Sequence, residues 1–486
     1  MIYSVIFSVC LLLVLFLDAN NKIELSNRFC ACIYTFIVPH FPLMIVYLWA
    51  EKKEIGFGAW ILMLCIVMFQ LYSTLRLHFL PFRKNRTESR RIGIEYGGYL
   101  LMRLSCIGLL SQIVFYLFFY IGNAAVDMQK LFPYFITTNR FYLTFDIIYT
   151  CIFLWLFLAN GTIRILCTCY RLGVVKRILI CLWMWIPVVN LFLLRTVSRA
   201  AKDEYDIALE RHLNETMRVG TDCCATKYPI IMVHGIGFRD LKFFNYWGRM
   251  PRLLIENGAT IYYGHQNAWG TIEDNAAKIA QTIDRALAET GAAKVNIIAH
   301  SKGGLDSRYL ISKLGYEGKV ASLTTMSTPH RGSALIDLLN KLPDWCYRLI
   351  AGWFDRSFAT MGDEKPDCYH ASKQLAPAYC EKFNEQTADS PLVFYQSYTS
   401  VMHGMFSDSL LSIPYLFMKL LTHEKNDGLV AVSSAKWGAF KGVFENTKKR
   451  GLSHGDMIDL KREDIKGFDI LEKYVQIVEE LKNRGF

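Results

Sequence analysis

The stretch VNIIAHSKGG, residues 295–304, decides the fold of the C-terminal half of this chain. Its apolar first half is typical of a buried strand, and a helical pattern follows from residue 305. Ala299 and Gly303, on either side of Ser301, are small enough for the strand and the helix to pass close together. Such a unit is a nucleophile elbow, which lifts a serine hydroxyl above the edge of a sheet. We therefore predict that Ser301 is a nucleophile; the alternative is an ordinary turn serine.

Strands and helices alternate along the chain on both sides of this elbow. Strands are predicted over residues 229–234, 259–263, 294–299, 320–326 and 392–397, and helices over residues 272–290 and 305–314. This alternation predicts an α/β domain with a doubly wound, mainly parallel sheet. We assign residues 228–486 to this domain, which is long enough to bury its own core.

A serine hydroxyl is a useful nucleophile only when a histidine takes its proton and an acid orients that histidine. In a fold built on this elbow, the acid and then the histidine follow the serine along the chain. Asp427 lies in an Asn-Asp-Gly turn, and His454 is the only histidine after it. We predict a triad of Ser301, Asp427 and His454. The alternatives are an ordinary Asp-Gly turn and a histidine in a surface loop.

The tetrahedral intermediate of acyl transfer needs backbone N–H donors, which form an oxyanion hole. The residue after the nucleophile, Lys302, is expected to supply one of them. Ile236, in the loop after the first predicted strand, is expected to supply the other. His234 precedes Ile236, and we expect it to brace this loop rather than to transfer protons.

Together these motifs resemble the bacterial triacylglycerol lipases of the Pseudomonas type. The likeness runs from about Tyr228 to the region of His454, and its motifs lie in one order at residues 234–236, 245–247, 295–304, 325–333, 426–430 and 454–456. The resemblance implies an α/β-hydrolase fold, hydrolysis of carboxylic esters and a helical lid. We place the lid at about residues 331–388, where apolar and aromatic residues recur.

The resemblance also implies a structural calcium ion, although no cofactor is expected for the chemistry itself. The family holds its ion with an aspartate before the triad acid and with the aspartate two residues after the catalytic histidine. Here these positions correspond to Asp408 and Asp456. Two carboxylates suit a hard, oxygen-seeking cation. The alternative is a pair of solvated aspartates.

The cysteines leave the redox state of the α/β domain open. The cysteine that the family often places after its Asn-Asp-Gly turn falls on Ser433, so that disulfide is absent. Cys346, Cys368 and Cys380 could include one disulfide if the domain faces an oxidising space. Free buried thiols are the other interpretation.

The N-terminal part of the chain is strongly apolar. The whole chain is 52% hydrophobic with a mean hydropathy of +0.21, and most long apolar runs lie before Arg195. A helix needs about 20 apolar residues to cross a bilayer. Six runs meet this length approximately, at residues 1–17, 29–50, 57–82, 98–121, 141–163 and 178–194. We predict an all-α transmembrane bundle over residues 1–195 and a linker helix over residues 196–227.

Basic residues indicate how this bundle is oriented. The net charge is +11, but many Lys and Arg residues flank the apolar runs, as expected at membrane edges rather than in a nucleic-acid-binding protein. They are more frequent in the loops after the first, third and fifth predicted spans, which places those loops in the cytoplasm. The protein is thus predicted to be a multi-pass protein of the cell membrane, with the α/β domain outside the cytoplasm.

These observations predict a membrane-anchored serine lipase or esterase that acts on a lipid or another ester and contacts membrane lipids. A phospholipase, or a deacylase of lipid-modified substrates, would use the same residues. A non-catalytic membrane binding module is a third hypothesis. The complete and correctly ordered triad argues against it, because a binding module does not need all three residues.

Overall fold

The computed structural model describes residues 28–42, 57–79, 89–125, 140–218, 222–238 and 245–486. The chain divides into two compact units, Met1–Asn214 and Glu215–Phe486. Among the described residues, the first unit contains helices and no strands, whereas the second unit contains both. The first predicted membrane span, residues 1–17, lies outside the described residues.

The first unit consists of long apolar helices. They are α1 (Arg28–Ile37), α2 (Phe57–Phe79), α3 (Arg90–Ala125), α4 (Arg140–Thr168), α5 (Gly173–Trp183) and α6 (Pro187–Arg218), with a short 3-10 turn at Val38–His40. The prediction of one helix over residues 178–194 is wrong, because α5 ends at Trp183 and α6 begins at Pro187. Proline lacks an N–H and suits the first turn of a new helix. The predicted linker, residues 196–227, is helical as far as Arg218 and continues α6 without a break.

Helices α3 and α4 approach each other closely at two glycines. A Cβ atom on Gly98 would lie 2.8 Å from the Gly161 carbonyl oxygen, and one on Gly161 would lie 2.7 Å from the Gly98 oxygen. Small residues permit this kind of close backbone contact between membrane helices. Within the described residues, two segments are long and apolar enough to cross a membrane, Arg90–Leu117 and Phe141–Thr168. Among the described residues, two of the six predicted spans are thus supported by length and composition, and the multi-pass bundle is not confirmed.

Charged side chains are buried in the first unit, which the sequence analysis did not predict. The Arg91 guanidinium donates hydrogen bonds to Glu95 at 3.1 Å and to the Thr168 carbonyl at 2.6 Å, and it also forms an ion pair with Glu204. Glu95 and Glu204 are buried. Arg91 and Glu95 have the ordinary i,i+4 spacing of a helix, but Glu204 lies 113 positions after Arg91, so no local pattern could have predicted that Arg91 and Glu204 meet.

The second unit is built on a six-stranded sheet. Its strands are β1 (Ile230–Val233), β2 (Ile261–Tyr263), β3 (Val295–His300), β4 (Val320–Met326), β5 (Phe394–Ser400) and β6 (Ala439–Phe444), in the spatial order β2-β1-β3-β4-β5-β6. All neighbouring strands are parallel, which confirms the predicted α/β domain with a parallel sheet. Strand β6 was not predicted from the sequence. It lies at the edge of the sheet, contains Lys441 and Gly442, and is largely not buried.

Helices cover both faces of this sheet. The helices of the second unit are α7 (Met250–Glu256), α8 (Ile272–Thr290), α9 (Gly303–Lys313), α10 (Ala334–Leu339), α11 (Asp344–Thr360), α12 (Cys368–Lys373), α13 (Pro377–Gln386), α14 (Ser412–Thr422), α15 (Val432–Ala435) and α16 (Ile470–Asn483). Side chains alternate between the faces along a strand. In β1, Met232 accordingly belongs to the core that includes Tyr474 of α16, and Ile231 to the core that includes Ile279 of α8.

The region predicted to be a lid, residues 331–388, contains the helices α10 to α13. On α11, Tyr347 and Ala351 are buried, whereas Trp345 and Trp353 are 71% and 64% exposed. Cys346, Cys368 and Cys380 are free thiols, so the structure contains no disulfide among them.

Candidate active site

Ser301 lies at the turn between β3 and α9, at the carboxyl edge of the sheet. Its backbone has a φ of +53°, in the left-handed region that costs a residue other than glycine about 1–3 kcal/mol. The turn is held in place because the Ser301 N–H donates a hydrogen bond of 2.9 Å to the Met326 carbonyl at the end of β4. The sharp turn predicted from the sequence is therefore present, and it directs Ser301 away from both the strand and the helix.

Glycines after Ser301 allow the strand and the helix to cross. A Cβ atom on Gly303 would lie 2.4 Å from the carbonyl oxygen of His234, and one on Gly304 would lie 2.2 Å from the Thr328 Oγ1 atom. Carbon and oxygen atoms cannot approach so closely without displacement of the backbone. This contact explains why the pattern around the elbow requires small residues.

His454 and Asp427 meet at the same edge of the sheet. The His454 Nδ1 atom lies 2.8 Å from the Asp427 Oδ2 atom, and both side chains are buried. A carboxylate can only accept hydrogen bonds, so Nδ1 donates and the neutral ring carries its free lone pair on Nε2. That tautomer can accept a proton from a serine hydroxyl.

The backbone around Asp427 fixes the position of its carboxylate. The Oδ1 atom accepts hydrogen bonds from the N–H groups of Leu429, at 3.0 Å, and Val430, at 2.8 Å. The His454 N–H also donates to the Asp427 carbonyl, at 2.8 Å. The Asn-Asp-Gly turn thus holds one carboxylate oxygen and leaves the other for His454.

The loop that carries His454 lies beside the elbow that carries Ser301. The ring of His300, the residue before Ser301, has its centroid 4.5 Å from the centroid of the His454 ring. Burial and the neighbouring His454 lower the pKa of His300 well below its ordinary value, so this ring is neutral at pH 7. The elbow and the acid–histidine pair, predicted from separate motifs, therefore meet in one place.

The loop after β1 contacts Ser301 directly. A Cβ atom on Gly235 would lie 2.8 Å from the Ser301 Cβ atom, so only glycine allows this approach. Among the hydrogen bonds of the described residues, neither the Ile236 N–H nor the Lys302 N–H donates to a protein acceptor. Both predicted oxyanion donors are thus unpaired next to the nucleophile. His234 contacts two carbonyls of this region, those of Gly235 and Gln266, through its ring nitrogens.

Tyr246 connects the loop after β1 to His300, and no role was predicted for it from the sequence. Its hydroxyl accepts a hydrogen bond of 3.0 Å from the Gly235 N–H. It also lies 2.7 Å from the Nδ1 atom of His300, to which it can donate its own hydrogen. The only signal in the sequence was the stretch 245–247, which was part of the resemblance to the lipases.

We expect a Tyr246→Phe variant to be less stable than the natural protein by about 1–3 kcal/mol, because two buried polar groups would lose their partner. The measurement is chemical denaturation of both proteins under identical conditions. Tyr262→Phe is the matched control, since the Tyr262 hydroxyl bonds to Glu289 at the exposed surface. Equal stability of the Tyr246→Phe variant and the natural protein would contradict this account of the loop.

Lys302 and Asp306 form a buried ion pair directly below the elbow. The Lys302 Nζ atom lies 2.6 Å from the Asp306 Oδ1 atom, and each side chain is 1% exposed. Burial raises the pKa of the Asp306 carboxyl to about 6, against the opposing effect of the Lys302 ammonium. Asn275 donates a further hydrogen bond, of 3.2 Å, to the second carboxylate oxygen. The pair holds the first turn of α9, and its lysine is the residue whose N–H group is predicted to be an oxyanion donor.

An Asp306→Asn substitution should destabilise the protein by roughly 3–5 kcal/mol at pH 8, because it leaves the Lys302 ammonium buried without its counter-ion. Asp284→Asn is the matched control. Its carboxylate also lies 2.6 Å from a lysine, Lys319, but both side chains are about half exposed. Removal of an exposed pair costs about 0–1 kcal/mol. Similar unfolding free energies for the two variants would show that burial of the Lys302 pair has no effect.

The proposed calcium ligands Asp408 and Asp456 do not fit a metal ion. The Asp408 Oδ1 atom accepts hydrogen bonds from Lys461 at 2.6 Å and the Leu410 N–H at 2.9 Å, and Oδ2 accepts one from Ser453. The Asp456 Oδ1 atom accepts one from Arg450, at 2.9 Å. Side-chain cations already hold both carboxylates, so the residues present do not favour the calcium ion that the resemblance implies.

Comparison with known proteins gives several lipases as relatives. No protein-family model matches the chain. A triacylglycerol lipase of Saccharomyces cerevisiae is 29% identical over 269 residues, which are 51% of this chain and 77% of that protein. Triacylglycerol lipases of Vibrio cholerae and Pseudomonas fragi are 38% and 34% identical, each over 24% of this chain and over 36% and 40% of their own lengths.

The protein is a carboxylic ester hydrolase related to the triacylglycerol lipases. The expected resemblance to these enzymes is confirmed. The relatives do not test whether the lipase-like domain is fused to a membrane region. The match to the Saccharomyces cerevisiae lipase spans about half of this chain. The matches to the two bacterial lipases span well under half of those proteins. Among solved structures, the mature lipase of Bacillus licheniformis aligns with 52% of this chain and 92% of its own, with 22% identity and a TM-score of 0.40.

Proposed function

We propose that this hydrolase is a serine lipase or esterase, which cleaves carboxylic esters of lipids through Ser301, Asp427 and His454. The observation that carries the proposal is the 2.8 Å contact between His454 and Asp427, beside an elbow in which Ser301 has a φ of +53°. A structural serine has no need of a strained turn, and a structural histidine has no need of a buried carboxylate.

In the first half of the proposed reaction, the ester is split and an acyl-enzyme forms. The Ser301 Oγ atom attacks the carbonyl carbon of the ester while its proton passes to the His454 Nε2 atom. The negative charge moves to the carbonyl oxygen, where the N–H groups of Ile236 and Lys302 stabilise it. The C–O bond to the alcohol then breaks, and the alcohol leaves with the proton from His454.

In the second half, water replaces the alcohol. His454 takes a proton from water, whose oxygen attacks the acyl carbon. The bond between the acyl carbon and the Ser301 Oγ atom then breaks, a carboxylic acid leaves, and His454 returns the proton to the Ser301 Oγ atom. Throughout, the Asp427 carboxylate stabilises the positive charge that the His454 ring acquires. The side chains and backbone groups named here supply the nucleophile, the base and the oxyanion donors of both halves.

Exposed apolar side chains near the predicted lid support a lipid substrate. Trp345, Leu349 and Trp353 on α11 are all more than 60% exposed. Phe406, in a 3-10 turn before α14, and Ile413, in the first turn of α14, are 92% and 67% exposed. Large apolar patches are costly in water and are typical of surfaces that contact lipid or another protein. These residues would allow the enzyme to reach esters that are held in a lipid phase.

Hydrolysis of a panel of esters by the full-length protein in detergent micelles tests the proposal. A lipase should cleave long-chain p-nitrophenyl esters and emulsified triacylglycerol, whereas an esterase should cleave only short-chain esters. Preferential release of fatty acid from phosphatidylcholine vesicles would instead favour a phospholipase. No turnover of any ester by folded protein would reject the catalytic proposal in favour of a binding module.

For the N-terminal unit, we propose insertion into the membrane. The segments Arg90–Leu117 and Phe141–Thr168 support this proposal by their length and composition. On α4, Ile148, Ile152 and Trp155 are exposed, as expected for side chains that contact lipid. The unit should stay in the membrane pellet after alkaline carbonate extraction, and release into the supernatant would contradict insertion. Digestion of residues 228–486 by protease added to intact cells would support their extracytoplasmic position.

A further inference from the structure

The loop that carries His454 is bound on both sides by buried aspartates. Asp408 lies in the segment after β5, and Asp456 follows His454 by two residues. Ser453 connects the two, since its Oγ atom donates a hydrogen bond of 2.7 Å to Asp408 and its N–H donates one of 2.9 Å to Asp456. Both carboxylates therefore hold the residue directly before His454.

A basic side chain neutralises each of these carboxylates. Lys461 lies 2.6 Å from Asp408, whose side chain is 2% exposed, and Arg450 lies 2.9 Å from Asp456, whose side chain is 5% exposed. The Arg450 Nε atom donates a further hydrogen bond, of 3.0 Å, to the carbonyl of Ser407, the residue before Asp408. Arg450 thus joins the two aspartate segments, as a bridging ion would.

The four oxygen atoms of the two carboxylates all accept hydrogen bonds from protein donors. Besides the contacts above, the Asp408 Oδ1 atom accepts one from the Leu410 N–H. A calcium ion takes six to eight oxygen ligands in general. To bind here it would have to displace the Lys461 ammonium and the Arg450 guanidinium, whose two charges already balance those of the aspartates.

We propose that Lys461 and Arg450 do here what a calcium ion is expected to do in the lipases this chain resembles. They hold the Asp408 and Asp456 segments together and thereby position His454, so the enzyme folds and acts without calcium. Lys461 and Arg450 are positioning residues, because they act through His454 rather than on the substrate. The part of this inference that concerns catalysis rests on the function proposed above.

Calcium titration of the full-length protein in detergent micelles tests the inference without reference to activity. We expect no heat of binding in isothermal titration calorimetry with CaCl2, and the same Tm in excess EGTA as in millimolar CaCl2. A ligand that binds only the folded state raises its stability. A lower Tm in EGTA that recovers with CaCl2, but not with MgCl2, would overturn the inference.

Substitutions test whether the two cations position His454. We expect Lys461→Met and Arg450→Met each to lower kcat for a p-nitrophenyl ester by roughly 10- to 100-fold with little change in KM, since small displacements of a catalytic group have effects of this size. Lys461→Arg, which keeps the charge, should restore most of the rate. Lys449→Met is the matched control, because Lys449 is the exposed neighbour of Arg450.

The outcomes separate this inference from the proposed function. If both Met variants keep the kcat and the Tm of the natural protein, the positioning role is overturned. If the Met variants do not fold, the comparison of Lys461→Arg with the natural protein decides. A charge-based contact should preserve most of the natural kcat in Lys461→Arg, whereas a loss of roughly 10-fold or more in the folded Lys461→Arg variant would oppose it. If the natural protein has no esterase activity, the proposed function fails, whereas the calcium titration still decides whether the cations replace the metal.

Discussion

Replacement of Ser301 by alanine is expected to lower kcat for ester hydrolysis by roughly 10⁶-fold, to a rate near the background. The reason is that the elbow offers no other hydroxyl to the ester carbonyl, so acylation has no nucleophile. The variant should keep its fold, because alanine adds no atoms and replaces only a hydroxyl at a turn where the backbone strain stays the same. The measurement is the rate of p-nitrophenyl butyrate hydrolysis at saturating substrate.

An exposed serine of the same unit provides the control for this prediction. Ser433→Ala, at an exposed position of α15, should leave kcat within about twofold, because substitutions of exposed residues have small effects in general. Circular dichroism and Tm should show that both variants are folded. A Ser301→Ala variant that is folded and retains more than a small fraction of the natural rate would mean that another residue is the nucleophile.

Asp427→Asn is expected to reduce kcat by about 10⁴-fold at neutral pH. The introduced amide would present N–H donors to the His454 Nδ1 atom, which now donates to a carboxylate at 2.8 Å. The ring would then carry its hydrogen on Nε2 and could not accept the proton of Ser301. Stability should change less than activity, because the amide oxygen can still accept the N–H groups of Leu429 and Val430.

A second aspartate–histidine pair in the same unit makes a close control. Asp367 also lies 2.8 Å from a histidine Nδ1 atom, that of His370, but both side chains are well exposed. Asp367→Asn should therefore change kcat by no more than about twofold, since exposed pairs contribute little. Equal losses of kcat in the Asp367→Asn and Asp427→Asn variants would contradict the assigned role of Asp427.

The elements around the elbow could be predicted because their patterns are local. The predicted strand over residues 320–326 and helix over residues 272–290 have the same bounds as β4 and α8. Strand β4 is buried along its whole length and contains the β-branched residues valine and threonine, which favour strands, whereas α8 has the amphipathic spacing of a helix with one buried face. The order of the serine, acid and histidine motifs along the chain was enough to name Asp427 and His454, which the structure brings within hydrogen-bonding distance of each other.

Contacts between distant residues could not be predicted in this way. Tyr246 reaches His300 across 54 positions, and Lys461 reaches Asp408 across 53 positions, with no periodic pattern to join them. The resemblance to the lipases implied calcium because it matched the two aspartates, and it carried no information about the cations that face them. Strand β6 was missed since, at the edge of the sheet, its sequence lacks a continuous apolar run.

The N-terminal unit was harder to predict than the α/β domain. Hydropathy identifies apolar runs but not where a helix ends, and Pro187 divides the sixth predicted span. The burial of Glu95 and Glu204 also depends on how α3 packs in the first unit rather than on the residues beside them. The composition of the sequence therefore predicted that this unit is helical, whereas its ionic contacts could be identified only from the structure.

Peptide mapping after fluorophosphonate labelling tests the central claim most directly. The natural full-length protein should carry one phosphonyl adduct, located by tandem mass spectrometry on Ser301, and a His454→Ala variant should label far more slowly. Absence of an adduct on folded protein, or an adduct on a different serine at the natural rate, would contradict the assignment of Ser301 as the nucleophile.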